Sequence, residues 1–156
     1  MSFPRFLRFV VPALLLVGFG SCKNNDTTTA PGAIASITVN APDSTRSGQG
    51  FNIDVNATAV GINNVHNGHV NVTVPAPLQV TAADPAAGTN ATFTSGSVSW
   101  NLGTLDSNSN AHLNVSVTSS LPPGSMGQLV TVTASLTADG INAGDAVATD
   151  TVQVNP

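Results

Sequence analysis

Phe51-Asn52-Ile53-Asp54-Val55-Asn56-Ala57-Thr58-Ala59 decides the fold class. Phe51, Ile53, Val55, Ala57 and Ala59 fall on one parity; Asn52, Asp54, Asn56 and Thr58 fall on the other. A helix would scatter both sets around its circumference, whereas a strand sends successive side chains to opposite faces. The segment therefore reads as a half-buried strand with its apolar set turned to a core.

The same alternation spreads outward from it. It recurs at Ile37 and Val39, at Val70, Val72 and Val74, and at Val98, Trp100 and Leu102. Leu113, Val115 and Val117 repeat it, then Val130, Val132, Ala134 and Leu136, and finally Val152 and Val154. Breakers separate these runs: Ser47-Gly48-Gln49-Gly50, Gly61-Ile62-Asn63-Asn64, Asp84-Pro85, Asp106-Ser107-Asn108, Pro122-Pro123-Gly124 and Asp139-Gly140. Seven or eight short strands with no window of helical period predict an all-β antiparallel sandwich. Its expected core is Phe51, Ile53, Val55, Val72, Val98, Trp100, Leu102, Leu113, Val115 and Val132. Pro75 and Pro77 lack amide donors, so they should end a strand or sit on an edge.

The beginning of the chain has a different logic. Arg5 and Arg8 precede the apolar run Phe9–Phe19, which closes on Gly20, Ser21 and the single cysteine, Cys22. The run is about 11 residues, roughly half of what a helix needs to cross a bilayer. A basic start, a short apolar core and small residues make an export signal, and with the lone cysteine it resembles a bacterial lipoprotein signal. That resemblance implies cleavage between Ser21 and Cys22 and acylation of Cys22, with palmitate among the chains. The alternative cut after Gly20 leaves Cys22 a free thiol. The expected organisation is a signal peptide over 1–21, a lipidated cysteine and flexible tether over 22–32, and a sandwich domain over 33–156. Lys23 after the modified cysteine, rather than Asp, points to the outer membrane over the inner under the sorting rule of enteric bacteria.

After such cleavage Lys23 and Arg46 face eight aspartates, a side-chain balance of −6. Nucleic acid is repelled, because phosphate contacts need clustered Lys and Arg. With one cysteine no disulfide forms within the chain, so stability rests on apolar burial. A cross-linking isopeptide needs a buried lysine, and the mature chain has only Lys23 in the tether. The Asn-x-Ser/Thr triplets at Asn56, Asn71, Asn90 and Asn114 gain no meaning from a bacterial signal.

Gly96-Ser97-Val98-Ser99-Trp100-Asn101-Leu102-Gly103-Thr104-Leu105, the strand after it, and Asn71–Leu78 resemble the "conserved repeat domain" of bacterial surface proteins. That family has an immunoglobulin-like sandwich and no known function. The resemblance covers roughly residues 34–155. It implies a structural or interaction module on an exported protein, with no catalytic residues to transfer. This chain carries a single copy, a direct lipid tether, and Asp106-Ser107-Asn108 where the family usually has Pro-Gly.

Other chemistry is sparse. His66, His69 and His112 could supply imidazoles to zinc or copper, but positions three apart on a strand face opposite ways, so solvated histidines are the expectation. No metal or other cofactor is assigned. The residues that would supply calcium oxygens are Asp139, Asn142, Asp145 and Asp150, which lack the spacing and final Glu of an EF-hand loop. Asp150 shares the parity of Val152 and Val154, which suggests a strand end near solvent. No nucleophile elbow, Cys-His arrangement or HExxH is present, and no catalytic residue is assigned. Sugar platforms stack rings on aromatics, and the mature chain has only Phe51, Phe93 and Trp100. Phe93 is the ring the pattern does not place. The expectation is an envelope lipoprotein anchored in the bilayer through Cys22 and acting as a structural or protein-interaction module, with another envelope protein as partner. The alternative is a calcium-dependent ligand- or glycan-binding sandwich.

Overall fold

The structure, a computed structural model, describes residues 26–29 and 35–156, with the backbone alone at 26–29 and 142–145. Its eleven strands contain no helix between them: β1 (Asp26–Thr29), β2 (Ala35–Asn40), β3 (Ser44–Arg46), β4 (Gly50–Ala59), β5 (Val65–Thr73), β6 (Leu78–Pro85), β7 (Asn90–Thr94), β8 (Ser97–Leu105), β9 (Asn110–Ser119), β10 (Gln128–Ala138) and β11 (Ile141–Asn155). A four-stranded sheet runs β2-β4-β9-β6. The larger sheet runs β1-β11-β10-β5-β8-β7, with β3 beside β11. Apolar faces of the two sheets meet and form one core.

The alternation in β4 becomes geometry directly. Ile53, Val55, Ala57 and Ala59 are buried, and Phe51, near the strand's open end, is half-buried against the same core. Antiparallel pairing sets Ile53 opposite Val115 and Val55 opposite Leu113. In the larger sheet, one inward row runs Ala148, Ala134, Val72, Val98 and Phe93, and the next runs Ala146, Leu136, Val70, Trp100 and Ala91. Val132 and Leu102 are buried as well. Leu105, opposite Val65, closes one end of the sheet.

Eleven strands exceed the seven or eight expected, because four lack an alternating signature. In β6 a bulge between Val80 and Ala82 breaks the period, and the strand continues through Asp84-Pro85, which the pattern marks as a breaker. β7 is an outer strand with no fully buried side chain. β3 has three residues and runs parallel to β11, so the larger sheet is mixed. Asp26–Thr29, assigned by pattern to the tether, forms β1 and pairs with Ala146–Thr149.

β5, ending before Pro75, lies between β10 and β8, and β11, ending past Val154, pairs on both sides. Neither is an edge. Pro75 and Pro77 do fall outside the strands, in the link from β5 to β6.

Candidate interaction surface

Cys22 and the export signal at 1–21 lie outside the described residues. Among those described, the histidines do not converge. His112 stands on the outer face of the four-stranded sheet, its Nε2 3.2 Å from Asp54 Oδ1. His66 and His69 belong to β5 in the other sheet, where two register shifts about Gly68 and a left-handed Asn67 (φ 54°) reset the pleat. No group of three His, Cys, Asp or Glu side chains is placed to hold a metal among the described residues.

The calcium candidates separate. Asp139 sits in the β10–β11 turn, where its Oδ2 accepts the Asn67 amide at 2.9 Å. Asp150 lies nine residues past the start of β11, about 30 Å along an extended strand. The side chains of Asn142 and Asp145 are outside the described residues. Asp150 is not near solvent at a strand end. It is 1% exposed in mid-strand, accepting Ala41 N at 2.7 Å and Thr151 N at 2.8 Å. Its parity is inward as the sequence indicates, but β11 begins at Ile141, which places Asp150 deep inside. There it clips the end of β2 to the opposing sheet. That role is structural.

Trp100 is fully buried, so its indole N–H needs an acceptor in the interior. Thr89 Oγ1 accepts it at 2.9 Å while donating to the Ala86 carbonyl at 2.7 Å.

Ser99 and His69 form the arrangement closest to chemistry. Ser99 Oγ lies 3.2 Å from His69 Nε2, and His69 Nδ1 lies 3.0 Å from the Trp100 carbonyl. A donated Nδ1–H leaves Nε2 free to accept the serine proton, as nucleophilic catalysis requires. Ser99, however, is in mid-strand with β5 on one side and β7 on the other. Ladder bonds use the nearby backbone N–H groups, so none is left to hold an oxyanion.

The outer faces are therefore polar surfaces. On the four-stranded sheet Asn52, Asp54 and Asn56 oppose Ser116, Asn114 and His112, and Asp54 Oδ1 accepts Asn114 Nδ2 at 2.8 Å. On the larger sheet, hydroxyls form a transverse row through Thr149, Thr133, Thr73, Ser97 and Thr94. Asn71, Ser99 and Thr92 lie in the next row, and His69, Asn101 and Asn90 in the one after. No Asp, Glu, Lys or Arg lies in β5, β7 or β8. Two open depressions mark this face, about 350 Å³ beside Asn67, His69 and Asn101, and about 220 Å³ beside Thr92, Thr94 and Ser97.

The boundary of the sandwich is more selective. β2, one end of the smaller sheet, packs against β1 and β11. β6, the other end, carries its bulge, Asp84 and Pro85, and its Val80 N–H donates to the Ser95 carbonyl at 2.9 Å. β1 and β3 flank β11, β3 carrying Arg46. β7 is different. It pairs with β8 on one side, ends the sheet, and has neither charge, proline nor bulge. Phe93, opposite the buried Val98 of β8, is 47% exposed. Sequence reasoning missed this edge, because five residues without alternating burial carry no periodic signal; the unplaced ring was the only pointer.

No family model and no curated protein matches the chain. Solved structures do share its architecture. A cohesin module from a Clostridium perfringens family 33 glycoside hydrolase superposes with a TM-score of 0.51 at 15% identity, covering 78% of this chain and 97% of that one. The CARDB domain of a Pyrococcus furiosus protein, solved in complex with di-metal ions, gives 0.53 at 16% identity, covering 84% and 94%. A variant of the major pilin subunit of Bacillus cereus gives 0.53 at 16% identity, covering 84% of this chain and 40% of the pilin. At these identities the likeness extends to the fold, and the chain shares the β-sandwich architecture of cohesin, CARDB and pilin modules.

Proposed function

We propose that this chain is an envelope lipoprotein, exported through the secretory pathway and held to a membrane, the outer one by preference, through acylated Cys22. Its sandwich serves as a structural or protein-interaction module with no enzymatic activity. The observation that carries this reading is β7, a sheet-ending strand without a charged side chain, proline or bulge, bearing an exposed phenylalanine and packed beside β6 of the other sheet. A free edge offers a row of N–H and C=O groups, and a partner strand that adds to it gains main-chain hydrogen bonds. Phe93 adds an apolar contact at the same place. Cohesin, CARDB and pilin structures lend support through their shared architecture. The resemblance to the surface "conserved repeat domain" points the same way.

A membrane anchor suits this mode of binding. It confines the module to a thin layer, so weak edge contacts operate at a raised effective concentration. Two experiments test the two halves. Mass spectrometry of the mature amino terminus should find Cys22 as the first residue with acyl chains on it; an unmodified thiol or a terminus elsewhere contradicts the anchor. Cross-linking within intact envelopes should capture a partner strand at β7, and a Phe93→Lys variant should lose it. Capture unchanged by that substitution contradicts the edge.

A further inference from the structure

We propose that the strand received by β7 is β7 of a second copy of this chain, a reading that rests on the edge-binding function above and names its partner. Three observations carry it. The first is register. Two copies of Asn90-Ala91-Thr92-Phe93-Thr94, paired antiparallel about a two-fold axis at Thr92, set Asn90 opposite Thr94 and Ala91 opposite Phe93 in both directions. Phe93 and Ala91 are inward-facing, ending the rows of Val98 and Trp100. Each ring therefore meets the small Ala91 of its partner and extends the core across the junction. A bulky residue in place of Ala91 would crowd the ring.

The second is charge. The chain has eight acidic against four basic residues, so copies repel one another over most of their surface. β7 and its neighbours in the sheet, β8 and β5, carry no Asp, Glu, Lys or Arg side chain, and Asp84 on β6 is the one charge brought beside β7 by the strands that contact it, so two copies approach here at a lower cost than elsewhere. The third is continuity. Pairing at β7 prolongs the outward polar rows, because Asn90 and Thr94 meet across the axis and Thr92 meets its own copy. Polar thus faces polar outside and apolar faces apolar inside. That agreement is the self-complementarity an isologous contact requires.

The test uses the full-length chain with Cys22→Ser, so that a new cysteine is the sole thiol. Directly opposed residues of an antiparallel pair have Cα atoms about 4.5–5.5 Å apart, within reach of a disulfide. Under mild oxidation, Thr92→Cys should give a covalent dimer. Asn71→Cys, in mid-sheet on β5, should not. Adding Phe93→Lys to Thr92→Cys should abolish the dimer while the melting temperature stays near that of the parent, since the ring is half exposed. Two results overturn the proposal: Thr92→Cys staying monomeric at every concentration, or Asn71→Cys dimerising equally well. Disulfide capture of a different protein at Thr92→Cys also overturns the second copy, but upholds the edge-binding reading.

Discussion

Trp100 and Asp150 are the residues on which the interior turns, and they differ in how far the sequence announces them. Trp100 shares its parity with Val98 and Leu102, and that is enough to place it inside. Its acceptor, Thr89, lies in the turn before β7, a contact no periodicity reveals. Trp100→Ala should cost about 3–5 kcal/mol, read as a lowered midpoint in urea unfolding. Thr89→Val should cost about 1–3 kcal/mol by leaving the indole N–H unpaired in the interior. Asp150 has a legible parity and an illegible depth, since only the observed start of β11 at Ile141 puts it in mid-strand. Asp150→Ala removes the acceptor of Ala41 N–H and frees the end of β2. The expected loss is about 2–3 kcal/mol, a charge-assisted bond exceeding a neutral one. An unfolding midpoint equal to that of the parent would show that the clip is dispensable.

Strands divide by the same criterion. β4, β8, β9 and β10 bury one face and expose the other, so their sequences alternate and can be read. Where a strand lacks an alternating pair of environments, the code disappears: β6 bulges, β7 hangs from the rim, and β3 has only three residues. Turns are easier, because Asp106-Ser107-Asn108 and Asp139-Gly140 supply left-handed conformations at Asn108 (φ 56°) and Gly140 (φ 79°). A pair of substitutions in β4 checks the period directly. Val55→Asp places a charge in the buried layer and should prevent folding, whereas Asn56→Asp on the other face should shift the melting temperature by only a few degrees. Equal damage from both would mean that β4 is buried on both faces.

At the scale of the whole molecule, the two-layer sandwich was legible and the identity of its edges was not. Alternation tells which way a side chain points, but strand order depends on pairings between residues far apart in the chain. Thus β5 and β11, which end at proline-rich or terminal segments, lie inside the larger sheet, while the inconspicuous β7 ends it. Of the four calcium candidates, Asp139 and Asp150 are drawn apart by the extended course of β11, which disfavours a shared site for those two. Excess calcium and chelator should therefore leave the melting temperature unchanged. A rise with calcium would mean that oxygen ligands converge after all.

The account depends on β7 being the place where this protein is bound. Hydrogen exchange on the full chain in its membrane, compared with the same chain diluted in detergent, measures this most directly. The account predicts slowed exchange in the membrane confined to residues 90–94 and the adjoining β8, with the outer faces unchanged. Uniform exchange under both conditions, or slowing on the four-stranded sheet instead, would contradict it.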